Sequence, residues 1–188
     1  VFERLRDSYS EPARAYHNGV HLSNCLAELS VWHGLARYPD EVEFALWFHD
    51  IVYDTHRDDN EDHSAAFAAE ILDYAGCDEQ VRYRIIGNIL ATSHTEGWNH
   101  TDEKLTADID LTTLGESEWV YCEFERAIRL EYLWVPLPEY CKKRIEVLQG
   151  FLDRERIYHH AAIADLFEEP ARRNLKRAIG WVSASSGI

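Results

Sequence analysis

The chain has no methionine, no cysteine pair at CxxC spacing, and no apolar run near the roughly 18 residues of a membrane-spanning helix. Its four cysteines, Cys25, Cys77, Cys122 and Cys141, stand one by one. That scatter excludes a zinc ribbon or a dithiol redox motif and predicts four buried thiols in a reducing, cytoplasmic compartment. No signal peptide is legible. Without a methionine, the natural start is expected to lie before Val1. Basic side chains are scarce, with 19 Lys plus Arg against 34 Asp plus Glu and a formal charge of -15. That balance excludes a nucleic-acid groove and an anionic membrane surface, since both need clustered Lys and Arg. It leaves room for a small phosphorylated substrate, because a bound divalent cation dominates its local field. Alternating strand patterns, internal repeats and low-complexity stretches are missing as well. With 46% hydrophobic and 12% aromatic residues, the expectation is one globular all-α domain over residues 1–188.

What is present is apolar spacing of three and four almost throughout. Residues 1–7 offer a short amphipathic turn or two. Ser10, Glu11 and Pro12 signal a start, and the spacing predicts a helix from there through His17, Val20, His21, Cys25, Leu26 and Leu29. Gly19, between its two histidines, costs roughly 1 kcal/mol against alanine and suggests a close approach there. Pro39 and Asp40 open a helix that carries Val42, Ala45 and Leu46 toward His49 and Asp50. The polar stretch 54–62 is a loop, with Asp58, Asp59 or Asn60 capping a helix that Gly76 closes. Further helices are expected over 79–94, 119–134, 139–158 and 166–182, with a break at Pro136 and Pro138. A polar loop spans 95–104, and a short helix follows in TADIDLTTLG with Asp108 and Asp110 near its start. Residues 183–188 form a frayed tail. Trp119, Tyr132 and Trp134 are expected in the core, and the C-terminal helices, about 116–182, are expected to pack on it.

The chemistry centres on residues 45–54, ALWFHDIVYD. His17 and His21 are four apart and present two imidazoles on one helix face. The zinc-protease version of that spacing needs Glu after the first His, and Asn18 stands there instead. Two histidines facing a polar cavity without metal is the plainer alternative. His49 and Asp50, side by side where a buried helix ends, add an imidazole and a carboxylate, donors suited to Zn, Mn, Fe or Mg. Asp108 and Asp110 supply further carboxylates. Two His and two Asp hold an ion with positions left for water, and such water is acidified toward a nucleophile.

The order His21, then His49 and Asp50, then a late Asp resembles the H…HD…D pattern of the HD superfamily of metal-dependent phosphohydrolases. Residues 16–21, YHNGVH, are similar to the YHNxxH motif of cyclic-nucleotide phosphodiesterases, a branch of that superfamily. The stretches YSEPARAYHNGVH, WFHDIVYD, DNEDHSA, ADIDLTTLG, IRLEY and FEEPARRNL resemble bacterial proteins described as predicted metal-dependent HD phosphohydrolases, over nearly the whole length. The resemblance implies an all-helical HD-like domain. It also implies metal ligands His21, His49, Asp50 and one Asp of the DID segment, with His17 protonating the leaving oxygen. Asp110, followed by Leu111 and Thr112 as in the ADLS-type segment of the phosphodiesterases, is favoured over Asp108, which would instead orient a ligand histidine.

Some HD proteins hold two metals, and His94 and Asp54 are the candidates for a second site. His56 and His63 belong to a solvated charged loop. Asn60, Glu61 and Ser64 would stand near the centre and hold water, or in the case of Asn60 and Ser64 merely cap a helix. Of Arg129, Lys143 and Arg144, an arginine facing the cleft would clamp a phosphate bidentately; a surface ion pair is the plainer role for each. The expected function is hydrolysis of a small phosphate mono- or diester, nucleotides included, with a divalent ion drawn from Zn, Mn, Fe, Ni, Co and Mg. A di-iron oxygenase of the same fold and a non-catalytic metal or nucleotide sensor are the alternatives. Metal, substrate and oligomeric state are not legible.

Overall fold

Local signals set most of the helix ends. Asn18 caps the helix that follows it by accepting from Val20 N at 2.8 Å, and Asp78 caps another by accepting from Gln80 N and Val81 N. Pro39 occupies the first turn of a third, followed by Asp40 and Glu41 at the positive end of its dipole. Gly76, at φ 69°, closes a fourth with paired bonds from Gly76 N to Asp73 O and from Cys77 N to Leu72 O.

The structure is a computed structural model that describes residues 1–95, 97 and 100–186, with Ser185 and Ser186 as backbone only. Among these residues there is no strand, and the chain is all-α. The helices are α1 (Phe2–Tyr9), α2 (Gly19–Trp32), α3 (Pro39–Phe48), α4 (Asn60–Tyr74), α5 (Glu79–Leu90), α6 (Thr101–Asp110), α7 (Glu118–Glu131), α8 (Leu137–Asp153) and α9 (Ala161–Ser186). Short 3-10 turns lie at His33–Leu35, Ala91–Ser93 and Leu111–Gly115. No described helix is long and apolar enough to cross a membrane.

The helices gather into two compact units, Val1–Asp110 and Leu111–Ile188. In the first, α5 packs against α3, α4 and α6, and α6 also touches α2 and α3. Its core joins Leu5 and Tyr9 of α1, Leu22 of α2, Ala45 and Phe48 of α3, Ala68 and Leu72 of α4, and Ile85 and Ile89 of α5. Leu105 to Ile109 are five consecutive buried residues, so α6 turns no face to solvent over that stretch. In the second unit α8 lies along α9, and the Leu111–Gly115 turn rests on α9. Asn174 donates to Leu114 O and Glu116 O at 2.9 and 2.8 Å, and Tyr158 donates to Leu111 O at 2.9 Å.

Several expectations are corrected. The helix expected to start after Pro12 starts at Gly19, because the Asn18 side chain caps it while Nδ2 holds Arg14 O and Ala15 O. His17 therefore precedes the helix and does not share its face with His21. Gly19 sits at the helix start with nothing nearer to an added Cβ than Tyr9 O at 4.0 Å, so no close approach explains it. The helix from 79 ends at Leu90 rather than 94, and α6 starts at Thr101, inside the expected 95–104 loop. Residues 96, 98 and 99 of that loop lie outside the described residues. Asp110 consequently ends α6 instead of starting a helix. α8 stops at Asp153, and α9 runs from Ala161 through Pro170 and most of the expected tail, with 187 and 188 outside the described residues. Trp119 and Trp134 are 73% and 52% exposed and Tyr132 is half-buried, so they are not core. The buried stripe of α7 is Tyr121, Phe124, Ile128 and Glu131; Trp119 lies about 200° around the helix from Tyr121, and Trp134 lies past its end. Cys77 and Cys122 are half-buried where four buried thiols were expected, and all four cysteines are free.

Candidate metal centre

The end of α3 is held from two sides. Arg14, 5% exposed, donates to Asp50 O at 2.5 Å and to Ile51 O at 3.3 Å, while its Nε reaches Glu11 at 3.1 Å. From the other side, Ser64 of α4 accepts from Val52 N and donates to Val52 O, and Asn60 makes the same two-way contact with Asp54 N and O. The turn after Phe48 thus has its backbone groups matched by side chains, so His49 and Asp50 leave the helix in a fixed orientation. His49 Nδ1 lies 2.8 Å from Leu46 O, a contact that assigns a proton to Nδ1 and turns Nε2 toward the carboxylates.

Three elements bring donor atoms to one point. His21 Nε2 of α2 stands 3.2 Å from His49 Nε2 and 3.0 Å from Oδ1 of Asp110, the last residue of α6. Asp50 Oδ2 is 3.0 Å from His49 Nε2 and 3.6 Å from His21 Nε2, and Asp110 Oδ1 is 3.5 Å from His49 Nε2. Donors bound to one ion at about 2.0–2.2 Å sit roughly 3.0–3.6 Å from each other, so these spacings fit a common ion. Asp50 Oδ2 is buried and makes no hydrogen bond of good geometry, an orphaned acceptor that a cation would satisfy. The buried group His21, Cys25, His49 and Asp110 has donor atoms all within 4.8 Å of one another and could hold a metal ion.

Charge runs the same way. Burial alone would push the Asp50 and Asp110 carboxyls up, but the surrounding imidazoles of His49, His21, His17 and His94 outweigh it and hold both below the ordinary carboxylate range. Burial likewise pushes His49 down, and Asp50 and Asp110 together bring it well above its usual value. Two carboxylates kept anionic out of water are therefore stabilised only by positive charge among them, which protons on the imidazoles or a divalent cation can supply. Burial, then Asp110 and Asp50, raise the Cys25 thiol.

The remaining sequence candidates divide. His94 ends the turn after α5 in the left-handed region, at φ 54°, and its Nε2 meets Asp110 Oδ2 at 2.8 Å. His17 is half-buried beside the cluster, stacked on Tyr53 with centroids 4.1 Å apart and 5.8 Å from the His21 ring. Glu61 lies close enough for burial, and then Asp50, to raise its carboxyl. Asp54 is not brought in: it is exposed and pairs with His56 at 3.0 Å, because Asn60 holds its backbone at the surface. His56 and His63 are exposed, His63 on α4 rather than in a loop. Asp59 stands at the α4 cap position, but its carboxylate pairs with Arg57 instead of capping. Asp108 is fully buried, yet two residues before Asp110 it projects from the far side of α6 and is outside the metal-holding group. Arg144 is no free clamp, since its guanidinium is held bidentately by Glu125 at 2.9 and 2.7 Å in the second unit. Arg129 donates to Tyr132 O and Val135 O, and Lys143 pairs with Glu146 at the surface.

Sequence reasoning passed over Arg14, Tyr53 and Cys25 as members of this neighbourhood. The Cys25 spacing of four from His21 was the available signal; nothing local marked Arg14. A hollow of about 690 Å³ on the same unit, lined by Tyr38, Tyr83, Arg84 and Asn88, involves none of the ligating residues. Compared with protein-family models, curated proteins and solved structures, the chain matches none.

Proposed function

We propose that the protein is a metal-dependent phosphohydrolase of the HD type, hydrolysing a small phosphate mono- or diester, nucleotides included, in the cytoplasm of a bacterium. The observation that carries this reading is that His21 and His49, 3.2 Å apart, each lie within 3.0–3.6 Å of an oxygen of Asp50 and of Asp110, with the Asp50 oxygen buried and unsatisfied. When bound, a divalent ion supplies Lewis acidity toward a phosphoryl oxygen and acidifies water toward neutral pH. His49 keeps Nε2 turned to the ion by donating Nδ1–H to Leu46 O. His17, stacked on Tyr53 at the half-buried margin, holds the proton delivered to the leaving oxygen. Arg14 keeps the carbonyls of Asp50 and Ile51 in register behind them.

Elemental analysis of protein purified without chelator, for wild type and Asp50→Ala, tests the reading before any assay. Stoichiometric zinc, manganese, nickel, cobalt or magnesium in wild type alone leads to a phosphate-ester panel. Loss of metal in neither protein, or metal in neither after reconstitution, sinks the proposal. Metal retained together with nucleotide binding and no turnover would instead identify a sensor. His17→Ala should keep the metal and lose turnover by about 10²–10⁴-fold; an active variant would remove His17 from the proton-donor role. A second reading, a di-iron oxygenase, draws on the His94 contact with Asp110, and two irons per chain with oxygen uptake would favour it.

A further inference from the structure

The metal reading uses imidazole and carboxylate donors, and one buried sulfur stands among them unused. Cys25 is 3% exposed and lies one turn after His21 on α2, so both side chains project from the same face. Its Sγ is 3.7 Å from His21 Nε2 and within 4.8 Å of the donor atoms of His49 and Asp110. A sulfur bound at about 2.3 Å and a nitrogen at about 2.0–2.1 Å of one ion sit roughly 3.6 Å apart; Sγ also lies 3.8 Å from Nδ1, beside the ring, so ligation takes a turn of the Cys25 side chain toward Nε2.

We infer that Cys25 is a sulfur ligand of this centre, joining the imidazole and carboxylate donors in a set that selects zinc, ferrous iron or cobalt over magnesium and manganese. The inference rests on the reading of the cluster as a metal site and adds the class of ion. Hard oxygen-seeking cations gain little from thiolate, whereas borderline and soft ions gain strongly, so a sulfur in the set biases occupancy by chemistry rather than by size. On coordination the thiol proton leaves to solvent and a sulfur lone pair forms the bond; no electron changes hands. The competing role is a thiol packed against the His21 ring, donating weakly to Nδ1 at 3.8 Å.

Cobalt(II) is the probe, added to the chelator-stripped full chain and followed by absorption. Visible d–d bands report bound cobalt, and a near-ultraviolet sulfur-to-cobalt charge-transfer band reports thiolate ligation. Wild type should show both, and Cys25→Ser should keep the visible bands, lose the near-ultraviolet band and bind zinc at least roughly tenfold more weakly. Visible bands without the charge-transfer band in wild type overturn the Cys25 assignment and leave the metal site standing. No cobalt spectrum in wild type overturns both. Absence of the band in wild type decides by itself; its presence is assigned to Cys25, and not to Cys77, Cys122 or Cys141, by its loss in a Cys25→Ser chain that keeps the visible bands.

Discussion

Arg14 has two of its guanidinium nitrogens on the carbonyls of Asp50 and Ile51 and a third on Glu11, with the rings of Tyr9 and Tyr53 5.7 and 5.6 Å away. Removing it leaves two buried carbonyls without donors at the turn that aims the metal-facing pair. Arg14→Ala should lower unfolding free energy by about 2–4 kcal/mol in urea titrations. Arg14→Lys should recover little of this, because one ammonium cannot reproduce a planar fork. Tyr140 of α8 makes a pH prediction. Burial, with Glu125 adding to it and Arg144 and Arg129 opposing, pushes its hydroxyl up to about 12 from an unfolded value near 10. The folded state then holds the proton longer than the unfolded one, so this contribution is intact below pH 10 and is lost as pH rises from about 10 to about 12. Tyr140→Phe should flatten the base-side fall in stability over that window, as read from denaturation midpoints at stepped pH.

At the scale of elements, α6 organises the first unit, and its two ends do different work. Asp102 near its start is 7% exposed and accepts from Arg37 N and Tyr38 N at 2.7 and 2.9 Å, tying it to the start of α3. Asp110 at its end faces His21, His49 and His94. Asp102→Ala should cost about 2 kcal/mol by orphaning two backbone donors. It should also weaken metal binding, because α3 carries His49; metal affinity unchanged at reduced stability would show the two ends to be independent. In the second unit, a Cβ on Gly115 would lie 2.7 Å from both Cβ and O of Phe167, and backbone cannot move aside as a flexible chain end can. Gly115→Ala should therefore destabilise by about 1–3 kcal/mol in thermal melts. Helix existence is legible at this scale wherever apolar residues recur at three and four. Boundaries are less so: the Asn18 cap is hidden inside a stretch that reads as continuous helix, and α6 is obscured because it is buried all round and keeps polar residues, Thr106 and Asp108, inside.

For the whole molecule, binding links the centre to stability. An ion that binds only the folded chain stabilises it by about 2.7 kcal/mol at a hundredfold excess over Kd, so saturating metal should raise the melting temperature and chelator should reverse the rise. Asp110→Ala should abolish that metal-dependent shift; a shift of wild-type size would move the ion elsewhere. The net charge of -15 also makes a cation within the fold less isolated from counter-charge than in a neutral protein.

Helical periodicity, the Pro39 start and the Gly76 stop act within a turn or two of chain, so the sequence by itself determined that the protein is all-α and roughly where most helices run. It also singles out His21, His49, Asp50 and Asp110, because those residue types are the ones that coordinate. Their meeting spans residues 21 to 110, and only the packing of α2, α3 and α6 decided it. The same packing carried Cys25 to the cluster, contacts from α4 left Asp54 outside it, and the second unit's own packing tied Arg144 to Glu125. Those outcomes depend on which helix faces meet through space, and that information is not held in any short stretch of chain.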